Sequence, residues 1–298
     1  MPRISIVIPV LNAERTLAAT LISLANQTFR DFEVLLVNDG STDGTCAVAE
    51  RYSTNLPVRV LTHSASLGVA RSLNDGITAS DSEFIARLDA DDFAEPNRLQ
   101  RQLEFMQSNP RTGVSGTHMK VFSEEAGERK DLFVLAHPLT NAGIRTALLQ
   151  RCTLAHPSVI CRRTVFDRVG LYDTRFDFCE DYELWCRASL LGVQFGNIPE
   201  ALTHYRRHAG QVSHLKAQTQ FEKDLEVKRR YMGAWLDGDD PGLMPEFLSR
   251  QTRFASREVA TQVVERCFDA IQRLGRRAPD VSEYSSMVVE SLRRHLNS

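Results

Sequence analysis

Asp89-Ala90-Asp91-Asp92 places three carboxylates within four residues, directly behind the apolar stretch Phe84-Ile85-Ala86-Arg87-Leu88. Asp89 and Asp91 sit two apart, and in an extended chain that spacing turns both side chains to one face. Hard oxygen ligands suit Mg2+ or Mn2+, and Mg2+ usually takes only one or two protein carboxylates plus substrate phosphates. The same residues also read as a solvated acidic turn, with Asp92 or Glu95 near the start of the next helix and Pro96 in its first turn. A second acidic pair, Glu180-Asp181, opens a segment carrying Tyr182, Leu184 and Trp185. Adjacent acids at a helix start often only complement its dipole. The aromatic and apolar residues that follow fit a partly dry site better.

These acids need elements to hold them. Ile4 to Pro9 is a β-branched run that reads as a buried parallel strand, and Asn12 offers an N-cap for a helix with Leu17, Leu21 and Leu24 on one face. Glu33–Val37 is a second strand, followed by the turn-rich Asn38–Gly44. A helix runs to about Tyr52, Val58–Leu61 is a third strand, Gly68–Ala79 a helix and Glu83–Leu88 a fourth strand. The order βαβαβαβ predicts a doubly wound, mostly parallel α/β sheet flanked by helices, with acids delivered to the C-terminal edge of its strands. Further on, helices are predicted over Asn97–Ser108, Thr140–Gln150, Thr164–Val169 and Glu180–Leu191, the last with Leu184, Trp185, Ala188 and Leu191 buried. Strands are predicted over Val114–Phe122, His156–Cys161 and Ala201–Arg207, and a charged hairpin turn over Glu124–Lys130. From His214 the pattern is helical, with apolar stripes at Phe221, Leu225, Met232, Trp235, Leu236 and at Val264, Phe268, Ile271, Leu274. Core packing against the main domain is the favoured reading of those stripes.

The 298 residues hold 42% hydrophobic and 25% charged side chains, enough for a sizeable core without staples. A net charge of −2 gives no electrostatic footprint for nucleic acid. No apolar run reaches the length of a membrane span and no signal peptide precedes Ile4. The six scattered cysteines form no C-x-x-C pair, which predicts reduced thiols and a cytoplasmic protein, with disulfides left open by the even count.

Four segments together carry a family resemblance: Val7-Ile8-Pro9-Val10-Leu11-Asn12, Val37-Asn38-Asp39-Gly40-Ser41-Thr42-Asp43, Leu88-Asp89-Ala90-Asp91-Asp92 and Glu180-Asp181-Tyr182-Glu183-Leu184-Trp185. Over about its first 210 residues the chain resembles the family 2 glycosyltransferases of GT-A fold. The resemblance implies a GT-A domain over 1–213, divided into a nucleotide-sugar-binding half (1–98) and an acceptor-binding half (99–213), and a helical extension over 214–298. It implies Asp91 as direct metal ligand and Asp89, with Ala90, at the ribose or the metal's water shell. Asp39 would accept the imide N–H of uracil or thymine, or else form an Asx turn; Pro9, Val10 and Asn12 would line the base. Arg71 matches a position near the base, with a plain surface charge as the other reading. Asp181 would be the catalytic base beside the acceptor hydroxyl, with Glu180 next to it.

His208 would sit near the diphosphate or metal, and imidazole can ligate Mn2+. Arg206 and Arg207 are phosphate-clamp candidates, and His156 and Trp185 are candidates for the acceptor or diphosphate side. Processive members carry a Gln-x-x-Arg-Trp element and membrane spans. This chain has neither, which implies addition of one sugar. A base acting in one displacement implies inversion, as in the family, and the resemblance implies transfer from a UDP- or dTDP-sugar to a saccharide or lipid-linked acceptor. The pathway implied is bacterial surface polysaccharide or glycolipid synthesis. Two other classes compete: an inactive scaffold subunit, and a sugar nucleotidyltransferase, against which the Gly-free Pro9–Glu14 loop counts. For the tail, three roles stay open: covering the acceptor cleft, forming a homodimer through its helices, or resting on the inner face of the cell membrane.

Overall fold

The protein, a computed structural model, is described over residues 1–125, 128–208 and 217–236, with short pieces between 238 and 266. Its first four long strands are β1 (Ile4–Val10), β2 (Phe32–Asn38), β3 (Val58–Thr62) and β4 (Phe84–Arg87), all mutually parallel in the order β3-β2-β1-β4. Successive side chains of a strand face opposite ways, and both faces here are covered. Ile4, Ile6, Ile8, Val34, Leu36, Phe84 and Ala86 enter one core; Val7, Leu35, Val37 and Ile85 enter the other. Burial on both sides is why these strands read as near-continuous apolar runs.

The helices between them are α1 (Leu17–Ala25), α2 (Thr45–Tyr52) and α3 (Val69–Thr78). Gly76 lets α3 lie close on the sheet: a Cβ there would come within 2.5 Å of Val7 Cγ1. Asn12 does not cap α1, whose N-cap is Thr16. It adopts φ 53° and pins the neighbouring loop instead, donating its N–H to Ser41 Oγ at 2.9 Å and accepting from Thr42 N at 2.9 Å.

The second half extends the sheet as β4-β8-β6-β9-β5, with β7 on β6. The elements are β5 (Phe93–Ala94), α4 (Arg98–Ser108), β6 (Thr112–Glu125), β7 (Glu128–Leu135), α5 (Asn141–Ala147), β8 (Ile160–Arg162), α6 (Arg163–Val169), α7 (Glu180–Leu190) and β9 (Gln194–Arg207). The charged segment expected as a hairpin turn over Glu124–Lys130 supplies instead the paired ends of β6 and β7, with Glu124 opposite Arg129; residues 126 and 127 lie outside the described residues. Three other readings need correction. His156–Ser158 is one 3-10 turn, because Pro157 cannot donate a ladder hydrogen bond; the strand starts at Ile160. β9 begins at Gln194, not Ala201: its register on β6 jumps from Thr117↔Ile198 to His118↔Ala201, so Pro199 and Glu200 fall in a bulge. Leu191, expected in the core, is the exposed C-cap of α7.

In the tail, α8 (Ala217–Trp235) buries Val227, Tyr231 and Met232 in the core that holds Trp185 and Leu184. Tyr231 Oη meets Ser189 Oγ at 2.7 Å, tying α8 to α7. Val264 packs on the same core; Phe268, Ile271 and Leu274 lie outside the described residues. Among the described residues, no helix is long and apolar enough to cross a membrane.

Candidate active site

Because β1, β2 and β4 run parallel, their C-terminal ends share one edge, and the loops leaving them converge there. Val10 O accepts from Asp39 N at 2.8 Å, which joins the first two loops. The buried Asp39 carboxylate accepts four hydrogen bonds: Leu67 N (2.8 Å) and His63 Nδ1 (2.7 Å) on Oδ1, Ser66 Oγ (2.6 Å) and Gly68 N (3.0 Å) on Oδ2. Burial opposes its charge, but these donors outweigh it and hold the carboxyl below its ordinary range. His63 Nε2 continues to Asp75 at 3.0 Å, and exposed Arg71 joins Asp75 at 2.9 Å. Thus Arg71 belongs to the Asp39 network through two intermediaries. A carboxylate has about four lone-pair sites, so a base imide reaching Asp39 must displace a donor; the rotatable Ser66 hydroxyl is the candidate.

At the end of β4, one oxygen from each of Asp89, Asp91 and Asp92 lies within 4.8 Å of the others. Asp92 is no helix cap: it is fully buried, its Oδ1 accepts from Arg206 N at 2.9 Å, and its Oδ2 has no partner. Burial, then the charges of Asp89 and Asp91, push its carboxyl well up. Asp89 is also raised, first by burial. The antiparallel pair β5–β9 returns the chain to this loop. It sets His208 Nε2 3.1 Å from Asp91 Oδ2, across 117 residues of sequence. Hard oxygens, a partnerless buried carboxylate oxygen and an adjacent imidazole fit a divalent cation such as Mn2+ or Mg2+.

Arg206 and Arg207 diverge. The Arg206 guanidinium is bound to Glu124 and to Asp91 O (3.0 Å) and stacks on Phe93 and Phe122 at 5.1 and 5.0 Å. It braces the acidic loop and is not turned out as a clamp. Arg207 is the exposed member.

The second acidic pair opens α7. Asp181 accepts from Tyr182 N at 2.7 Å and from the Cys152 thiol at 3.4 Å. Glu180 is 6% exposed, and its Oε2 has no partner. Burial raises both carboxyls; Glu180, with the Asp181 charge beside it, is pushed up to about 8. The hydrogen bonds to Asp181 favour its charged form, and their lack at Glu180 Oε2 leaves burial to favour the protonated form there. His156 lies 3.5 Å from Glu180 Oε1 and 2.9 Å from Tyr172 Oη. Burial, then Arg87, holds it neutral. Trp185 is fully buried and packs edge-on to His156 at 6.4 Å. It backs the site from the core, with its indole Nε1 buried and without a partner.

Sequence reasoning passed over Arg87 and His63. The Arg87 guanidinium is buried, pairs with Asp89 at 2.5 Å, and feels Glu180, while its Nε and Nη1 have no partner. It stands between the two acidic groups. A lone charge inside an otherwise apolar buried strand was the available signal. For His63 the signal was its place at the C-terminal end of β3.

The sequence profile of glycosyl transferase family 2 matches residues 5–170. The chain belongs to that family. It is a transferase enzyme, and curated relatives agree. The amylovoran biosynthesis glycosyltransferase AmsE of Erwinia amylovora is 27% identical, over 88% of this chain and 98% of that protein. The UDP-Glc:alpha-D-GlcNAc-diphosphoundecaprenol beta-1,3-glucosyltransferase WfaP of Escherichia coli is 27% identical, over 72% of this chain and 80% of that protein. The 1–349 fragment of S. aureus TarS, solved with UDP-GlcNAc, superimposes with a TM-score of 0.65 at 21% identity, over 98% of this chain and 92% of that one. That likeness extends to the whole GT-A fold of the transferase.

Proposed function

We propose that this transferase moves one sugar, with inversion and with the help of a divalent cation, from a UDP- or dTDP-sugar to a saccharide or lipid-linked acceptor. The observation that carries the reading is the pairing of two unlike acidic groups around Arg87. One is a cluster of carboxylate oxygens suited to a cation; the other is a buried carboxylate pair in which Asp181 accepts from Tyr182 N and the Cys152 thiol. The UDP-sugar named for WfaP and the UDP-GlcNAc held by TarS support a uridine donor. The names of AmsE and WfaP support a role in bacterial surface polysaccharide or glycolipid synthesis.

In this reading Asp39 meets the base, with Pro9, Val10 and Asn12 along its edge and Arg71 at the rim. Asp89 and Ala90 meet the ribose. Asp91 and His208 would hold Mn2+ or Mg2+, which supplies Lewis-acid stabilisation of the departing diphosphate. Arg207 adds positive charge on that side. Asp181 takes the proton of the acceptor hydroxyl as its oxygen bonds to the anomeric carbon. The bond from that carbon to the diphosphate oxygen breaks on the opposite face, and the nucleoside diphosphate leaves with the electron pair. A single displacement inverts the centre. Neutral Glu180 and neutral His156 keep a competing charge away from Asp181 and can hydrogen-bond sugar hydroxyls. Residues 1–98 would form the donor half, 99–213 the acceptor half, and 214–298 a helical extension.

Thermal shift with UDP-, dTDP- and GDP-sugars, with and without Mn2+, tests this. Binding to the native state at a hundredfold excess over Kd adds about 2.7 kcal/mol. A shift that needs both a uracil or thymine nucleotide and Mn2+, and that vanishes in Asp91→Ala, is the expected result. A metal-independent shift, or one with GDP-sugars alone, overturns the reading.

A further inference from the structure

Phe178 has φ +77°, a left-handed conformation that a bulky aromatic residue rarely adopts. It lies two residues before Glu180 and three before Asp181. Such strain persists only where the surroundings over-determine it. Here the surroundings are two helices from opposite ends of the chain.

On one side is α8. Gln220 Nε2 donates to Phe178 O at 2.8 Å, and Lys223 Nζ donates to Asp177 O at 3.0 Å. The Lys223 ammonium also sits 5.7 Å over the Phe178 ring, and the Arg230 guanidinium 4.8 Å over Phe176. On the other side is α3. Asp177 Oδ1 accepts from Ala70 N at 2.9 Å in the first turn of that helix. Gly68, at φ +95°, gives the carboxylate room: a Cβ there would fall 2.4 Å from Asp177 Oδ2. The same Gly68 donates its N–H to Asp39. The turn 176–178 is therefore gripped between the wall of the Asp39 pocket and a helix beyond the family match. The next residue, Cys179, is the N-cap of α7.

We propose that Gln220 and Lys223 of α8 are positioning residues for the transfer step, holding the strained turn that aims Asp181. The inference rests on the base role given to Asp181 above. It assigns a task to the helical extension, whose part in the enzyme the resemblance leaves open. Hydrogen bonds to carbonyls of the turn fix the backbone from which α7 starts. A small displacement of a base from its target is costly, because near-attack geometry is narrow.

The test uses the full chain and metal-dependent hydrolysis of a UDP-sugar, with water as acceptor. Gln220→Leu, Lys223→Met and their double variant are compared with wild type. The expected result is a fall in kcat of about 10- to 100-fold, with UDP affinity and donor KM unchanged. Phe178→Gly then discriminates positioning from mere support. Glycine occupies φ +77° without strain, so adding it to the double variant recovers part of the kcat that the double variant loses. Variants that lose thermal stability but keep kcat, or a loss of kcat that Phe178→Gly fails to restore, overturn the proposal. No hydrolysis by the wild-type enzyme with any donor would instead count against the donor and base assignments.

Discussion

Glu180→Gln separates the proton on this residue from every question of substrate. Glu180 is buried, and burial together with the Asp181 charge lifts its carboxyl from 4.5 to about 8. Between those values the folded enzyme holds a proton that the unfolded chain has released. Stability therefore falls as pH rises through that window, by at most about 1.4 kcal/mol per pH unit. Glutamine copies the shape of the protonated acid and does not titrate, so the variant escapes this slope. Between pH 5.5 and 7.5 wild type should lose up to about 3 kcal/mol relative to Glu180→Gln. At about 2–4 °C per kcal/mol for a chain of this class, the Tm gap widens by roughly 5–10 °C. Differential scanning calorimetry of both proteins across that range, in metal-free and nucleotide-free buffer, is the assay. Parallel Tm curves would mean that Glu180 is already ionised in the folded state, and the division of proton and charge between Glu180 and Asp181 would fall with it.

Asp181→Asn removes the group assigned as base, and turnover should drop by about 10²–10⁴-fold while the UDP-induced thermal shift stays within that of wild type; near-normal turnover would exclude Asp181 from that role. Gly68→Ala forces a side chain into a left-handed site and against the Asp177 carboxylate. It should cost about 1–3 kcal/mol of stability and weaken uridine nucleotide binding through Asp39, and an unchanged Tm would show that the turn yields freely.

The first half of the chain was the readable half, for a physical reason. Its strands are buried on both faces and mutually parallel, so each appears as an apolar run. Parallel order then sends every following loop to one edge. That is enough to gather Val10, Asp39 and Asp89–Asp92 without knowing a single contact. The second half gave up less. The bulge at Pro199–Glu200 hides the first part of β9, and the return of β9 to β5 is a pairing over 109–115 residues, seen in His204 to Glu95 and Arg206 to Asp91. Non-local pairing leaves no periodic trace.

What pattern supplied was the edge a side chain reaches, and what it withheld was the partner waiting there. Arg206 and Arg207 are adjacent and alike in type, yet Glu124 and two phenylalanine rings claim the first and leave the second in solvent. Asp39 directly follows the C-terminal end of β2, and four donors already fill its lone pairs. Arg87 is the sharpest case. A buried guanidinium is costly unless paired, and Asp89 pairs with one of its three nitrogens while the other two stay without a partner. In the proposed reading, such a group beside Asp89 and Glu180 offers donors to acceptors that arrive with substrate. That is the arrangement expected of a site preorganised for the charge and hydroxyls of a sugar in transfer, not of one built for stability alone.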